Sequence, residues 1–179
     1  MTKSLAAELE LLANRMTSEG AGNQQLSIPA LADRIAKNLN VKSEEVAILM
    51  ISEKQRSLQF LVPDALSNVG SIPLSSTSAL AARTARESRP DILNNFTTVR
   101  HATVFEGVKA DSLSANAIQK IISAPLLHEG KVIGVIQISR KGSSAVEAGP
   151  DFTPDDLGKV LAICGPLGKL IRHAAGTGN

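Results

Sequence analysis

Cysteine, histidine and arginine are the side chains of this 179-residue chain whose placement first suggests chemistry, and their number and spacing limit what that chemistry is. Cys164 is the single cysteine. Thiol–disulfide turnover within one chain needs an attacking thiolate and a second thiol to resolve the mixed disulfide, so one cysteine does not suffice. Its neighbours Leu157, Val160, Leu161, Leu167 and Ile171 recur at helical spacing, which reads Cys164 as a small residue on an apolar helix face. A lone cysteine also forms no internal disulfide, which fits a reducing, cytoplasmic compartment. His101, His128 and His173 share neither a helical nor a hairpin spacing, and metal binding needs converging ligands, so no metal centre is expected. Arg83, Arg86 and Arg89 recur every three residues, with Arg100 shortly after. Such a row either attracts a phosphate or nucleotide, or is a solvated helix face. No triad, phosphate loop or kinase signature accompanies these groups, so no catalytic residue is assigned and the chain is expected not to be an enzyme.

Composition removes further classes. Nineteen basic and seventeen acidic side chains leave a formal charge of +2, without the block of like charges that would track a phosphate backbone. Four Phe, no Tyr and no Trp leave few stacking platforms for single strands, so nucleic acid is not an expected partner. No apolar run approaches the roughly 20 residues of a membrane span, and the N-terminus MTKSLAAELELLANRM is too polar for a secretory signal. With 43% hydrophobic residues, a chain of this length buries roughly 70% of its unfolded surface as one core.

Positioning falls to elements read from the apolar period. Leu5, Leu9, Leu12 and Met16 form a narrow helical stripe, which packs either on its own domain or on the same helix of a second subunit. The polar SEGAGNQQ, Ser18 to Gln25, separates it from the next helix, which Ser27 caps and Pro29 opens, with Leu31, Ala32, Ile35 and Leu39 on its buried face. VAILMIS (46–52) reads as a central strand, SLQFLV (57–62) as one nearer an edge, and EKQR as the turn between them. GSIPLSS follows as a short edge strand because of Pro73, then STSALAARTARES as a helix and RPDILNN as an extended piece. From Phe96 to Asn116 neither period holds, and such a stretch in a compact domain is a candidate lid. IQKIISAPLLH and KVIGVIQISRK flank Glu129-Gly130 as the longest hairpin. Pro125 marks a bulge or an edge position, and Gly134 admits a backbone or a ligand at close range. Thr153-Pro154-Asp155-Asp156 starts a last helix that Gly165-Pro166 is expected to kink or break. The predicted fold is α+β, a mainly antiparallel sheet of about six strands with helices on its faces.

This order resembles the GAF domain, a sensory module related to PAS domains. ISAPLLHEGKVIGVIQISRKG followed by FTPDDLGKVLAICGPLGKLI is similar to the family's closing pattern, and IPLSSTSALAARTARESRPDILNN to its middle. The resemblance divides the chain into an N-terminal helix and linker (1–25), a GAF-like domain (26–174) and a disordered tail (175–179). It implies a small-molecule pocket on one face of the sheet, with terminal helices passing the signal within a homodimer. The implied walls are Phe60, Ser75, Asn94, Asn95, Arg100, His101, Phe105 and Ser123. The Phe residues also read as core, and the Asn residues as turn formers. The dimer contact would use Leu5, Leu9, Leu12, Met16, Leu167 and Ile171. The ligand is unidentified, a nucleotide being one option. NNF lacks the Lys of the family's cyclic-nucleotide signature, and no bilin is expected because Cys164 lies away from the implied pocket. A haem on His101 stays open, beside a solvated histidine. The family's methionine sulfoxide reductases work by cysteine chemistry, for which Cys164 alone is too little. The expectation is a non-catalytic sensory module, either part of a larger sensor or acting on a signalling protein in trans; the alternative is a ligand-free dimerisation adaptor.

Overall fold

The computed structural model describes residues 4–18, 27–63, 66, 70–96 and 117–176. Six strands form one sheet: β1 (Val46–Ser52), β2 (Ser57–Val62), β3 (Ser71–Pro73), β4 (Asp91–Leu93), β5 (Ala117–His128) and β6 (Lys131–Gly142). Their order is β3-β2-β1-β6-β5-β4, and every neighbouring pair is antiparallel. The two short strands lie at the edges, Pro73 closing one of them, where a missing donor does no harm. Pro125 sits two residues past the last β4 pairing, in the part of β5 flanked by β6 alone. Glu129 and Gly130 both take positive φ, 52° and 78°, as a two-residue hairpin turn requires. At Gly134 the close neighbour is backbone: a Cβ there would be driven into the Leu49 carbonyl oxygen of β1.

Helices among the described residues include α1 (Leu5–Ser18), α2 (Ile28–Leu39), α3 (Leu80–Glu87), the single-turn α4 (Ala145–Ala148) and α5 (Pro154–Gly176). Ser27 caps α2 by accepting from the Ala30 amide at 3.2 Å. A reciprocal pair opens α5: Asp156 N–H donates to Thr153 Oγ1 (3.2 Å) and Thr153 N–H to Asp156 Oδ2 (2.9 Å).

Strand alternation divides the interior into two layers. One face of the sheet presents Ile48, Ile122, Ala124, Leu126, Ile136 and Ile138 to α2 and α5, and α1 packs along α5 outside them. Leu9, Met16, Leu167 and Ile171 are buried there within the chain, while Leu5 and Leu12 are partly buried against the same core. The apolar stripe of α1 is therefore covered by its own chain, with Lys169 of α5 pairing Glu10 at 2.8 Å. Of the kink or break expected at Gly165-Pro166, the break does not occur, for α5 runs as helix through both residues. Pro166 removes one backbone donor, at a cost of about 3 kcal/mol. Val160, Ile163, Leu167 and Leu170, on either side of it, are all buried in one layer, and that burial offsets the lost bond. Leu161, expected on the buried face, is 43% exposed, and Ile163 and Leu170 take its place. Helix α5 also includes the first two residues of the expected 175–179 tail.

Candidate ligand-binding face

The opposite face of the sheet carries Ala47, Leu49, Leu58, Phe60, Ile72, Ser123, Val135 and Gln137; of the five helices named above it has α3, and Leu66 also packs against it. Short side chains make this packing close. Ala79, Ala81, Ala82 and Ala85 lie in the cluster formed with Leu49, Phe60 and Val135, so an eight-residue helix sits down on the strands with little apolar bulk of its own. The sequence ALAARTARES sets this up, placing Ala on one side of the helix and Arg on the other.

A hydrogen-bonded chain of neutral groups runs beneath α3. Gln137 Nε2 donates to Ser123 Oγ (3.2 Å), Ser123 Oγ lies 2.7 Å from Thr84 Oγ1, and Thr84 Oγ1 donates to the Leu80 carbonyl (3.0 Å). Because the Thr84 proton goes to Leu80, the Ser123 hydroxyl must donate to Thr84, which makes the chain run one way, from β6 through β5 into α3. All three side chains are at most 4% exposed. Thr84 and Gln137 were missed in reading the sequence; the available signal was a single amide inside the apolar run VIGVIQIS.

The arginines of α3 are engaged elsewhere. Arg83 pairs Asp91 of β4 at 2.7 Å, and Arg86 donates to the carbonyls of Leu74 (2.5 Å) and Ser76 (2.7 Å), holding the turn that leads into the helix. Arg89 lies 3.5 Å from Glu87 at the surface. Of the residues proposed as walls, Phe60 and Ser123 share this face, Ser75 and Asn95 lie exposed in turns, and Arg100, His101 and Phe105 fall outside the described residues, as does nearly all of the candidate lid. Asn94 has a different engagement: it accepts from the Phe152 amide at 2.8 Å and donates to the Phe152 carbonyl at 3.1 Å. An open cleft of about 570 Å³, with Met50, Gln55, Gln59, Phe60 and Ser71 in its walls, lies at the β1–β2 hairpin.

Cys164 lies in the other layer, buried in the core that α5 shares with α1 and α2. Burial pushes its thiol from 9.0 up to about 12, so it is protonated at neutral pH. Among the described residues no three His, Cys, Asp or Glu side chains are grouped to hold a metal ion, and no helix is long and apolar enough to cross a membrane.

A six-stranded antiparallel sheet with a helical layer on one face and the short helix α3 on the other defines an α+β module, the architecture of a family of sensory and regulatory domains. The chain belongs to the GAF domain family, whose model matches residues 25–171. The match leaves out α1, which nevertheless packs on α5. Similar solved structures include the GAF domain of an Acinetobacter phosphoenolpyruvate-protein phosphotransferase, 17% identical with a TM-score of 0.64 over 100% of this chain and 99% of that one. The GAF domain of a phosphoenolpyruvate-protein phosphotransferase from Coxiella burnetii is 12% identical, with a TM-score of 0.65 over 98% and 99%. A free methionine-R-sulfoxide reductase from Thermoplasma acidophilum is 14% identical, with a TM-score of 0.56 over 92% and 95%. At these identities the likeness is one of fold. No curated protein matches the chain.

Proposed function

We propose that this chain is a non-catalytic regulatory GAF domain that takes a small molecule on the α3 face of the sheet and passes its occupancy to the terminal helices of a homodimer. The observation that carries the reading is the buried neutral chain Gln137–Ser123–Thr84 on a face otherwise built of Ala, Leu, Val and Phe. Buried polar groups stabilise a fold less than apolar groups of the same shape, and a mainly apolar surface with a few fixed donors and acceptors is what a small ligand recognises. With Arg83 and Arg86 turned to partners of their own, the described part of the face suits a neutral ligand better than a phosphate. The non-catalytic reading rests on Cys164, whose thiol is protonated, buried and on the far side of the sheet, whereas reductase chemistry needs an accessible thiolate. Exposed Leu11 of α1 and Leu161 of α5 leave apolar surface on the terminal helices for a second copy.

A second reading, a ligand-free adaptor acting through the same helices on a signalling protein in trans, is favoured by one fact: the alanines of α3 rest directly on the strands. Native mass spectrometry of the protein as purified separates the two. The sensor reading expects mass above twice the chain mass that is lost on denaturation and reduced in Ser123→Ala. A bare dimer supports the adaptor instead, and a bare monomer overturns both.

A further inference from the structure

The two layers are joined around the edge of the sheet by β4 and the residue after it. Asp91, the first residue of β4, holds Arg83 of α3 on one face at 2.7 Å. Asn94, just past its end, holds Phe152 by both backbone groups, as a neighbouring strand would. Phe152 directly precedes Thr153, whose hydroxyl accepts from Asp156 in the first turn of α5. Phe152 is 3% exposed, with the Arg140 guanidinium 4.5 Å from its ring centroid. Arg140 also donates to the Pro150 carbonyl, and its cross-strand partner Lys120 reaches the Gly149 carbonyl (2.5 Å) and Asp151 (2.8 Å). The segment that starts α5 is thus gripped by two buried cations of the sheet core and, separately, by Asn94. The cations belong to long strands paired over most of their length. Asn94 directly follows a three-residue edge strand with β5 on one side and α3 attached through Asp91.

We infer that β4 is the coupling element of the domain, a short edge strand through which movement of α3 changes how the first turn of α5 is seated. This deepens the regulatory reading and rests on it for its purpose, while its geometry holds with or without a ligand. A strand with few ladder bonds shifts at lower cost than β5 or β6, and the two side-chain grips at its ends convert that shift into a change at each helix.

The test uses a substitution in place of the unidentified ligand. Ala85→Leu adds bulk between α3 and the sheet, and amide hydrogen exchange is followed in α3 and in residues 152–160 for the parent, Ala85→Leu, Asn94→Ala and the double variant. The expected result is that Ala85→Leu speeds exchange in the first turn of α5 by about tenfold in the parent background and not beyond the Asn94→Ala level in the double variant. Faster exchange in α3 with no change in α5, or an equal further increase with Asn94 absent, would overturn the inference. If Ala85→Leu raises exchange throughout the sheet, Arg83→Ala replaces it, freeing α3 from Asp91 without added volume, and the same two outcomes decide. Because no ligand is used, failure here leaves the sensor reading standing, and a bare native mass leaves the coupling standing.

Discussion

The two faces of this sheet are built to different rules. On one, branched side chains of β1, β5 and β6 meet α2 and α5, and α1 closes the layer from outside. On the other, an eight-residue alanine-rich helix lies over three neutral polar groups that, among the described residues, hydrogen-bond to one another and to the Leu80 carbonyl. Large interlocking side chains give a layer its stability, whereas small ones and buried hydroxyls give a surface that separates cheaply. One chain therefore holds a fixed layer and a releasable one, back to back on the same strands.

Leucine pairs break this comparison most directly. Leu126 and Leu49 are both fully buried, the first under α5 and the second under α3. Leu126→Ala is expected to cost about 4 kcal/mol and Leu49→Ala about 2.5, because the short helix can settle into the space while the three-helix layer cannot. Denaturant unfolding measures both, and equal losses would remove the distinction. Next in size, Ser123→Ala is expected to cost about 1–2 kcal/mol by leaving Gln137 and Thr84 without their shared partner. Replacing all three by apolar residues of similar shape, Thr84→Val with Ser123→Ala and Gln137→Leu, should restore or exceed the parent stability while abolishing any ligand-dependent mass. A triple variant less stable than Ser123→Ala would make the chain a structural asset of this face.

Much of this architecture was legible in the sequence. VAILMIS and SLQFLV coincide with β1 and β2, and the Ser27 and Thr153 caps form as their spacing implies, because caps and strand runs are local signals. What was not legible depends on tertiary context. A Pro inside α5 normally ends a helix, and only the shared burial of Ile163 and Leu170 on either side of it explains why this one continues. The site was read less well than the fold. Phe60 and Ser123 fall on one face because strand alternation places them there, whereas Asn94 bonds a backbone 58 residues away, which no spacing reveals. Lys120 and Arg140 look like surface charges until Phe152 and the loop before it close over them.

A smaller effect sharpens the picture of the fixed layer. Cys164 holds its proton up to about pH 12 when folded and ionises near 9.0 when exposed, so the folded state binds that proton more tightly. Its contribution is fully present below pH 9 and is lost as pH rises from there toward 12. Cys164→Ala should remove part of the alkaline loss of stability, and iodoacetamide should leave the native thiol unmodified at pH 8. Rapid alkylation of the folded protein would place the thiol outside the core. The smallest effect is at the surface: Lys131 and Glu53 meet at 2.5 Å with both side chains about two-thirds exposed, and Lys131 lowers the Glu53 pKa. Lys131→Ala should leave the denaturation midpoint unchanged, since solvent screens such a pair.

Native-state hydrogen exchange across a denaturant series compares the faces in one experiment. The predicted result is that α3 amides from Arg83 to Ser88 exchange through a local, denaturant-insensitive opening, while those of α5 from Ile163 to Leu170 exchange only with global unfolding. Exchange of both helices at one common free energy would contradict the division into a fixed and a releasable face.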